Sequence, residues 1–389
     1  MYEWEGEEGY IDLRFMLRGY CTAYENPEND FFYDHHSESD LAGVARFLLQ
    51  ARAGKYLGFE VNAYQTYIPK ALVTHQASLG TILDVERSAA MEWGFSNEKY
   101  VHLAIDRLNV RWSKDRIDLI LGRQPINLAT TFFFSPNDFF APFAAQTFYR
   151  VYKPGVDAIR AEVRLGDLSQ LTLISALGYS RAPGGDTGWS DEPESDRASY
   201  IFRVSTVYND FEWALIGGPV RKVDVIGGSL QGELFKWLGV RAEGHVADPD
   251  DSRLDSYTEL SVGLEHRWTN SLDVRLEHFH HGIGLDSVSD YSAISTAANS
   301  GSSYLGRNYL AIGAGYEFTP LLSAEMSVIS NLKDNSCLWS LNTVYSLSNE
   351  AELSLNLGVP VGKEPEGAEI KSEFGLYPYS INAEVRYYF

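Results

Sequence analysis

From Ile381 to Phe389 apolar and polar side chains alternate without a break. Ile381, Ala383, Val385, Tyr387 and Phe389 fall on one face, and Asn382, Glu384, Arg386 and Tyr388 on the other. A period of two marks an extended strand with one apolar and one polar side. The same alternation recurs along the chain and predicts about eighteen strands. They lie near 10–20, 42–52, 55–66, 99–112, 116–124, 155–165, 169–180, 198–208, 210–221, 223–237, 239–248, 255–268, 271–281, 307–318, 321–331, 336–347, 350–361 and 376–389. Short and long connections alternate between them. Ser113–Asp115, Gly166–Leu168, Asn209, Leu238, Thr269–Asn270, Thr319–Pro320 and Ser348–Asn349 are short, whereas 21–41, 67–98, 125–154, 181–197, 282–306 and 362–375 are long. Tight turns at one end and long loops at the other are the build of a transmembrane antiparallel β-barrel, with periplasmic turns and extracellular loops.

A soluble β-sandwich would show the same alternation, so the position of the aromatic residues decides between the two. Trp112, Tyr208, Trp268, Phe318, Tyr387 and Phe389 fall on the apolar row beside short turns, and Tyr179 and Tyr200 beside long loops. Two aromatic belts at the strand ends match the two membrane–water interfaces. Two strands break phase. In 99–112 the apolar row moves from Val101, Leu103 and Ile105 to Leu108, Val110 and Trp112, predicting a bulge near Asp106 and Arg107. A slip near Gly122 would turn Arg123 inward, away from a lipid face where an Arg costs about 2–4 kcal/mol at the midplane.

Composition sharpens this picture. Aromatics make up 13% of the 389 residues, with 24 Tyr and 33 Gly, as suits a β-rich chain whose rings meet an apolar medium. No apolar run of about 18 residues exists, which excludes a transmembrane helix but not a barrel strand of about 9–11 residues. The net charge of −21 excludes a general nucleic-acid binder. Most of that charge collects in the long connections, which read as solvated loops. Cys21 and Cys337 lack metal or haem-attachment spacing and are expected as unpaired thiols. MYEWEGEEGY has neither the basic start nor the apolar middle of a signal peptide, so the numbering is read as that of an exported chain with its signal peptide removed. The expected organisation is an acidic periplasmic tail over 1–9, bearing Glu3, Glu5, Glu7 and Glu8, and one barrel over 10–389.

The candidate chemistry faces inward. Arg14, Arg18, Arg160, Arg164, Arg203, Arg267, Arg275 and Arg386 share the lumen with Asp12, Glu162, Glu259, Glu265, Asp273, Glu277 and Glu384. Mixed signs on neighbouring strands predict ion-pair ladders, with charge rings that select ions as the competing reading. Arg107, Asn109 and Arg111 would add a local basic collar near the periplasmic end. Residues 122–154 differ from the other long connections in being mostly uncharged and holding seven Phe. Phe132, Phe133, Phe134, Phe139, Phe140 and Phe143 need something to pack on. Two readings stand: a segment folded against the inner wall that narrows the pore, or a docking surface for a partner. Asn137 and Asp138, after Pro136, read as turn and capping residues. His278, His280 and His281 precede Asp286 and Ser287, but His278 and His280 continue the outward row and no nucleophile is placed beside a base. His35, His36 and the acids Asp248, Asp250, Asp251 and Asp255 read as solvated loop residues rather than a cation site.

The terminal strand ending on Phe389 resembles the C-terminal assembly signal of Gram-negative outer-membrane barrels. Gly122-Arg123-Gln124-Pro125-Ile126-Asn127, followed by Ser135-Pro136-Asn137-Asp138-Phe139-Phe140-Ala141-Pro142-Phe143, resembles a stretch of porin-like outer-membrane proteins. Among these are the barrels of porin–cytochrome conduits in metal-reducing bacteria. The resemblance implies location in the cell outer membrane, contact with membrane lipid, and a passive channel for small polar solutes or ions. The alternative it implies is a sheath around multihaem cytochromes that are separate chains. Haem would then be held by those partners, and this chain would bind no cofactor or metal and catalyse no reaction. No outward row marks an oligomer interface.

Overall fold

The computed structural model describes residues 2–6, 9–69, 86–94, 100–181, 189–293 and 304–389. Eighteen antiparallel strands close into one barrel. They are β1 Gly9–Glu25, β2 Ser37–Ala53, β3 Leu57–Ile68, β4 Tyr100–Lys114, β5 Ile117–Gln124, β6 Val156–Arg164, β7 Ser169–Ala176, β8 Ser199–Tyr208 and β9 Phe211–Val220. The second half comprises β10 Val223–Leu234, β11 Leu238–Pro249, β12 Tyr257–Arg267, β13 Asp273–His281, β14 Asn308–Thr319, β15 Leu322–Asn331, β16 Ser336–Ser346, β17 Ala351–Val361 and β18 Tyr379–Tyr388. Each pairs with the next, and β18 returns to β1 with Arg386 opposite Arg18. Closure leaves no strand edge with unpaired backbone groups, a requirement in a medium without water. The short strand Tyr2–Gly6 pairs with Gly9–Leu13, continuing along the edge of β1 past the end of β18. The side chains of Glu3, Glu5, Glu7 and Glu8 lie outside the described residues.

No helix among the described residues is long and apolar enough to cross a membrane; the strands carry the apolar band. Ile11, Phe15 and Leu17, Ile159, Leu260, Val262 and Leu264, Leu276, and Leu353 and Leu355 are exposed on the outer face. Burying such rows is worth about 25 cal/mol per Å², so rows repeated round the barrel mark a lipid-facing belt. Trp112, Tyr208, Trp268, Phe318, Tyr387 and Phe389 are exposed at the short-turn end, joined by Phe235 and Trp237, and Tyr67, Tyr200 and Tyr379 near the other. Tyr179 departs from the expectation. It lies past the end of β7, in a hairpin of Tyr179–Arg181 with Trp189–Pro193, and is buried with its hydroxyl on Asp157 Oδ2 at 3.0 Å. Cys21 and Cys337 are free.

The connections alternate less regularly than the sequence suggests. On the long-loop side β9 passes to β10 through Arg221 and Lys222 alone, both at positive φ (49° and 72°), and β15 passes to β16 through four residues. Two-residue turns with both φ positive match the twist of a hairpin and need no glycine when polar residues occupy them. The expected turn at Leu238 falls earlier, at Phe235–Trp237, with Phe235 and Lys236 at positive φ. The β4 bulge lies where the phase break put it: Asn62 faces Arg107, Ala63 faces Ile105, and Asp106 is the extra residue.

Candidate functional site in the lumen

The segment 125–155 between β5 and β6 turns into the barrel, and the strand end before it sets that direction. Gly122 has φ +112°, and a Cβ there would lie 2.3 Å from the Leu108 carbonyl oxygen. Only glycine accepts both conditions. The local flip turns Arg123 inward, where Nε and Nη2 donate to Asp157 at 2.7 and 3.0 Å, Nη1 to Ile105 O at 2.8 Å and Nη2 to Ser88 O at 2.8 Å. Gln124 Nε2 donates to Ala158 O at 3.0 Å.

From there the chain follows the inner wall. Ile126, Leu128, Phe139 and Phe140 pack with Ile174, Ile201, Ile216 and Val225 of β7 to β10. Phe133 and Phe134 pack with Phe279, Tyr309, Ile329 and Leu338 of β13 to β16, and the Phe134 and Phe279 rings stack with centroids 4.9 Å apart. The backbone of this limb is held by two carboxylates. Glu277 accepts from the N–H groups of Phe132, Phe133 and Phe134 at 2.8, 3.1 and 2.6 Å, and from Ser261 Oγ at 3.0 Å. Glu243 accepts from Thr130 N–H and, at 3.4 Å, from Asn137 N–H. Arg241 and Arg221 donate to the carbonyls of Thr130 and Phe139 at 3.1 and 2.9 Å. Buried loop N–H groups need an acceptor, so the carboxyl oxygens beneath them fix their position.

The returning limb is held differently. Arg386 lies 4.2 Å from the Tyr149 ring centroid, Arg18 lies 5.4 Å from the same ring, and Arg46 lies 4.2 Å from that of Tyr152. Arg150 donates to Thr147 O at 2.7 Å and Ala145 O at 3.1 Å, folding the segment on itself, and Lys153 pairs with Asp138 to tie its ends together. Phe132 is partly exposed, with Arg275 3.7 Å from its ring centroid. Phe143 is also partly exposed, whereas Phe133, Phe134, Phe139 and Phe140 are buried on the inner wall.

Asn137 lies in the turn that Asp138 N–H closes on Ser135 O at 2.9 Å, as expected, and its side chain also makes tertiary contacts. Asn137 Nδ2 donates to Gly228 O at 2.9 Å, and its Oδ1 lies 3.1 Å from His245 Nδ1.

Most inward charges are paired. Arg18 meets Glu384 at 2.6 Å, Arg107 meets Glu60 at 2.9 Å, Arg111 meets Asp118 at 2.9 Å, and Arg160 meets Glu162 at 3.4 Å. Arg241 meets Glu265 at 2.9 Å, Arg267 meets Glu317 at 2.8 Å, and Arg275 reaches Asp273 and Glu325 at 2.7 and 3.1 Å. Arg14 is bonded to Asp12 and remains half exposed, while Arg164 donates to the Asp115 carbonyl. Three of the expected pore-lining residues are covered. Glu277 lies under the inward segment, and Glu384 is buried between Arg18 and Arg386, which itself contacts Glu352 at 2.9 Å.

The residues that the sequence reading missed are Glu243, Arg241, Arg46, Tyr149, Arg150 and Tyr152. Arg241, Glu243 and His245 alternate with the outward Val240, Ala242 and Val246, so the period-two pattern carried that signal. For Tyr149, Arg150 and Tyr152 no spacing reveals the strands they meet. The histidines are not brought together. His281 bonds Glu259 at 3.0 Å inside, His280 faces Asn308 at 3.1 Å, and His278 is exposed. Among the described residues no group of three metal-ligating acids, His or Cys occurs.

No protein-family model matches the chain, and no curated protein matches it by sequence. Solved structures match it over its length. OccAB4 of Acinetobacter baumannii aligns at TM-score 0.60 and 9% identity, covering 97% of this chain and 98% of that one. OccK8 (OprE) of Pseudomonas aeruginosa aligns at 0.60 and 10%, covering 97% and 98%. The outer membrane protein OprD from Pseudomonas aeruginosa aligns at 0.57 and 10%, covering 97% and 93%. With its closed eighteen-stranded sheet, apolar belt and inward segment, the chain has the porin fold of OprD and these Occ proteins.

Proposed function

We propose that the protein is a passive channel of the outer membrane for small polar or charged solutes, narrowed by residues 125–155. The observation that carries the reading is the pair of carboxylates, Glu243 and Glu277, that hold a mostly uncharged, Phe-rich segment inside a lumen still lined by exposed charge. Arg14, Arg111 and Arg267 have side chains 52%, 53% and 63% exposed. Barrels of 16–18 strands enclose an aqueous path, and a segment pinned part-way along it sets the width. A sheath around an inserted cytochrome would need the space that this segment fills, and none of the comparisons favours it.

Single-channel conductance in planar bilayers tests the reading. Replacing 132–143 by a short Gly/Ser linker is expected to raise conductance several-fold. Unchanged conductance would overturn the constriction, and a wild-type protein that inserts without conducting would overturn the channel.

A further inference from the structure

Glu373 precedes the short helical turn Phe374–Leu376 in the segment 362–378 between β17 and β18, and is 2% exposed. Its Oε2 accepts from Tyr309 Oη at 2.5 Å and Asn331 Nδ2 at 2.6 Å, and the carboxyl also meets the Leu305 backbone N–H. Its own N–H donates to Asp334 Oδ2 at 2.7 Å, and that oxygen also takes the Asn331 amide at 3.3 Å. Two carboxyl groups therefore share one amide donor.

The groups that face Glu373 come from every element packed on it. They are Tyr309 of β14, Asn331 of β15, Asp334 of the β15–β16 turn, Tyr291 and Tyr304 of 282–307, and Tyr377 of its own segment. Among the described residues no Lys, Arg or His pairs with it. Arg307 and Lys333 go to Asp286, and Lys371 goes to Glu366 and Glu369. A buried carboxylate without a cation is costly, and beside a second carboxylate more so. Burial, with the Asp334 charge adding to it, pushes the Glu373 carboxyl up to about 7.

What Glu373 holds in place reaches the lumen. Phe374, the next residue, is buried in the cluster that contains Phe133 and Phe134 of the inward segment. On the outer side, Asn29 Nδ2 donates to the carbonyls of Pro365 and Gly367 at 2.9 and 3.1 Å, and Tyr33 donates to that of Leu376. The segment 362–378 thus bridges the β1–β2 loop and the inward segment.

We propose that Glu373 is a proton-operated latch at the extracellular mouth: the neutral carboxyl keeps 362–378 docked with Phe374 against Phe133 and Phe134, and ionisation releases the segment. The sign follows from linkage. The docked carboxyl holds its proton up to about 7 and the released one to about 4.5. Docking is therefore strongest in acid, weakens as pH rises from about 4.5 to 7, and levels off above. The docking equilibrium changes by roughly two orders of magnitude across that window. The consequence for conduction rests on the channel reading; the latch does not.

Two measurements on the full-length protein in lipid test it between pH 5 and 8.5. Amide exchange of 364–376, corrected for its intrinsic pH dependence, is expected to quicken as pH rises to about 7 and to level off above in the wild type, and to stay slow in Glu373→Gln. Conductance is expected to rise over the same range in the wild type and to stay flat in the variant. Asp334→Asn, which keeps Glu373 and removes the charge that raises it, is expected to move the transition to lower pH without abolishing it, and heat-modifiable gel mobility verifies that each variant is folded. A pH-independent wild-type exchange rate would overturn the latch, as would a transition that survives in Glu373→Gln or one that follows added Ca²⁺ and EDTA instead of pH. A pH-dependent exchange rate in a barrel that never conducts would keep the latch and overturn the channel.

Discussion

The inward segment rests on two unlike arcs of the barrel wall. From β9 to β17 the inward charges are chiefly acidic: Glu212, Glu233, Glu243, Glu259, Glu265, Asp273, Glu277, Glu317, Glu325 and Glu352, against Arg241, Arg267 and Arg275. From β18 through β1 to β8 arginines are more numerous than on the other arc, and the signs are mixed: Arg14, Arg18, Arg46, Arg52, Arg107, Arg111, Arg160, Arg164, Arg203 and Arg386 stand among Asp12, Glu60, Asp106, Asp118, Glu162 and Glu384. The acidic arc holds the outgoing limb by its backbone, through carboxylates whose acceptor sites are filled by N–H groups. The arginine arc holds the returning limb by ring faces, while its donors go to wall carboxylates: Arg18 and Arg386 to Glu384, and Arg46 to Asp106. Carboxylates used in this way are structural, and so is Arg386, which is buried under Tyr149 with its donors on Glu384, Glu352 and Ser354; Arg18, 30% exposed, is the more open of the pair on that ring.

The sharpest way to break this comparison is to remove one of the filled carboxylates. Glu277→Ala leaves three N–H groups without their acceptor and should weaken the seat of the segment by about 3–5 kcal/mol, since each bond to a charged group is worth roughly 1.5–3 kcal/mol and they are not additive. Conductance should approach that of the 132–143 replacement; Glu243→Ala should follow in direction with a smaller rise. An intermediate effect is expected from Gly313→Leu, because a Cβ there would already stand 2.6 Å from Phe133 Cζ. Overpacking of about 1–3 kcal/mol should push that ring off the wall, read as altered open-channel noise.

On the arginine arc, Tyr149→Leu and Tyr152→Leu each remove cation–π contacts worth about 0.5–2 kcal/mol. They should leave the segment seated while raising anion preference, measured by reversal potential in a salt gradient. If instead they widen the pore as much as Glu277→Ala does, the two arcs do not differ. The smallest effect belongs to Arg267→Gln. Its pair with Glu317 is more than half exposed on both sides, so stability should change by less than about 1 kcal/mol. Any shift in selectivity should fade as salt rises.

The strands were legible because each spans two different media. Leu260, Val262 and Leu264 must face lipid while Glu259, Glu265 and Arg267 face the lumen, so a period of two is written into every crossing. The same phase exposed the bulge at Asp106 and the inward turn of Arg123 as breaks in an otherwise strict rule. Tyr179 escaped because it lies beyond a strand end, where period two no longer applies, and the Arg221–Lys222 turn escaped because loop length has no periodic signature.

The sequence by itself therefore determined the closed barrel, its strand number, which face meets lipid, and that 122–154 needs a surface to pack on. Its alternation and aromatic placement are local responses to solvent, and each is complete within about ten residues. Only the tertiary structure decided that Glu277 and Glu243 would seat backbone N–H groups more than 100 residues away in the chain. It alone placed Tyr149 under Arg18 and Arg386, set Glu373 beside Asp334, and brought Phe374 into the cluster of Phe133 and Phe134. Such contacts join side chains from strands on opposite sides of the lumen. Their energy depends on where closure brings those strands, which no local pattern encodes.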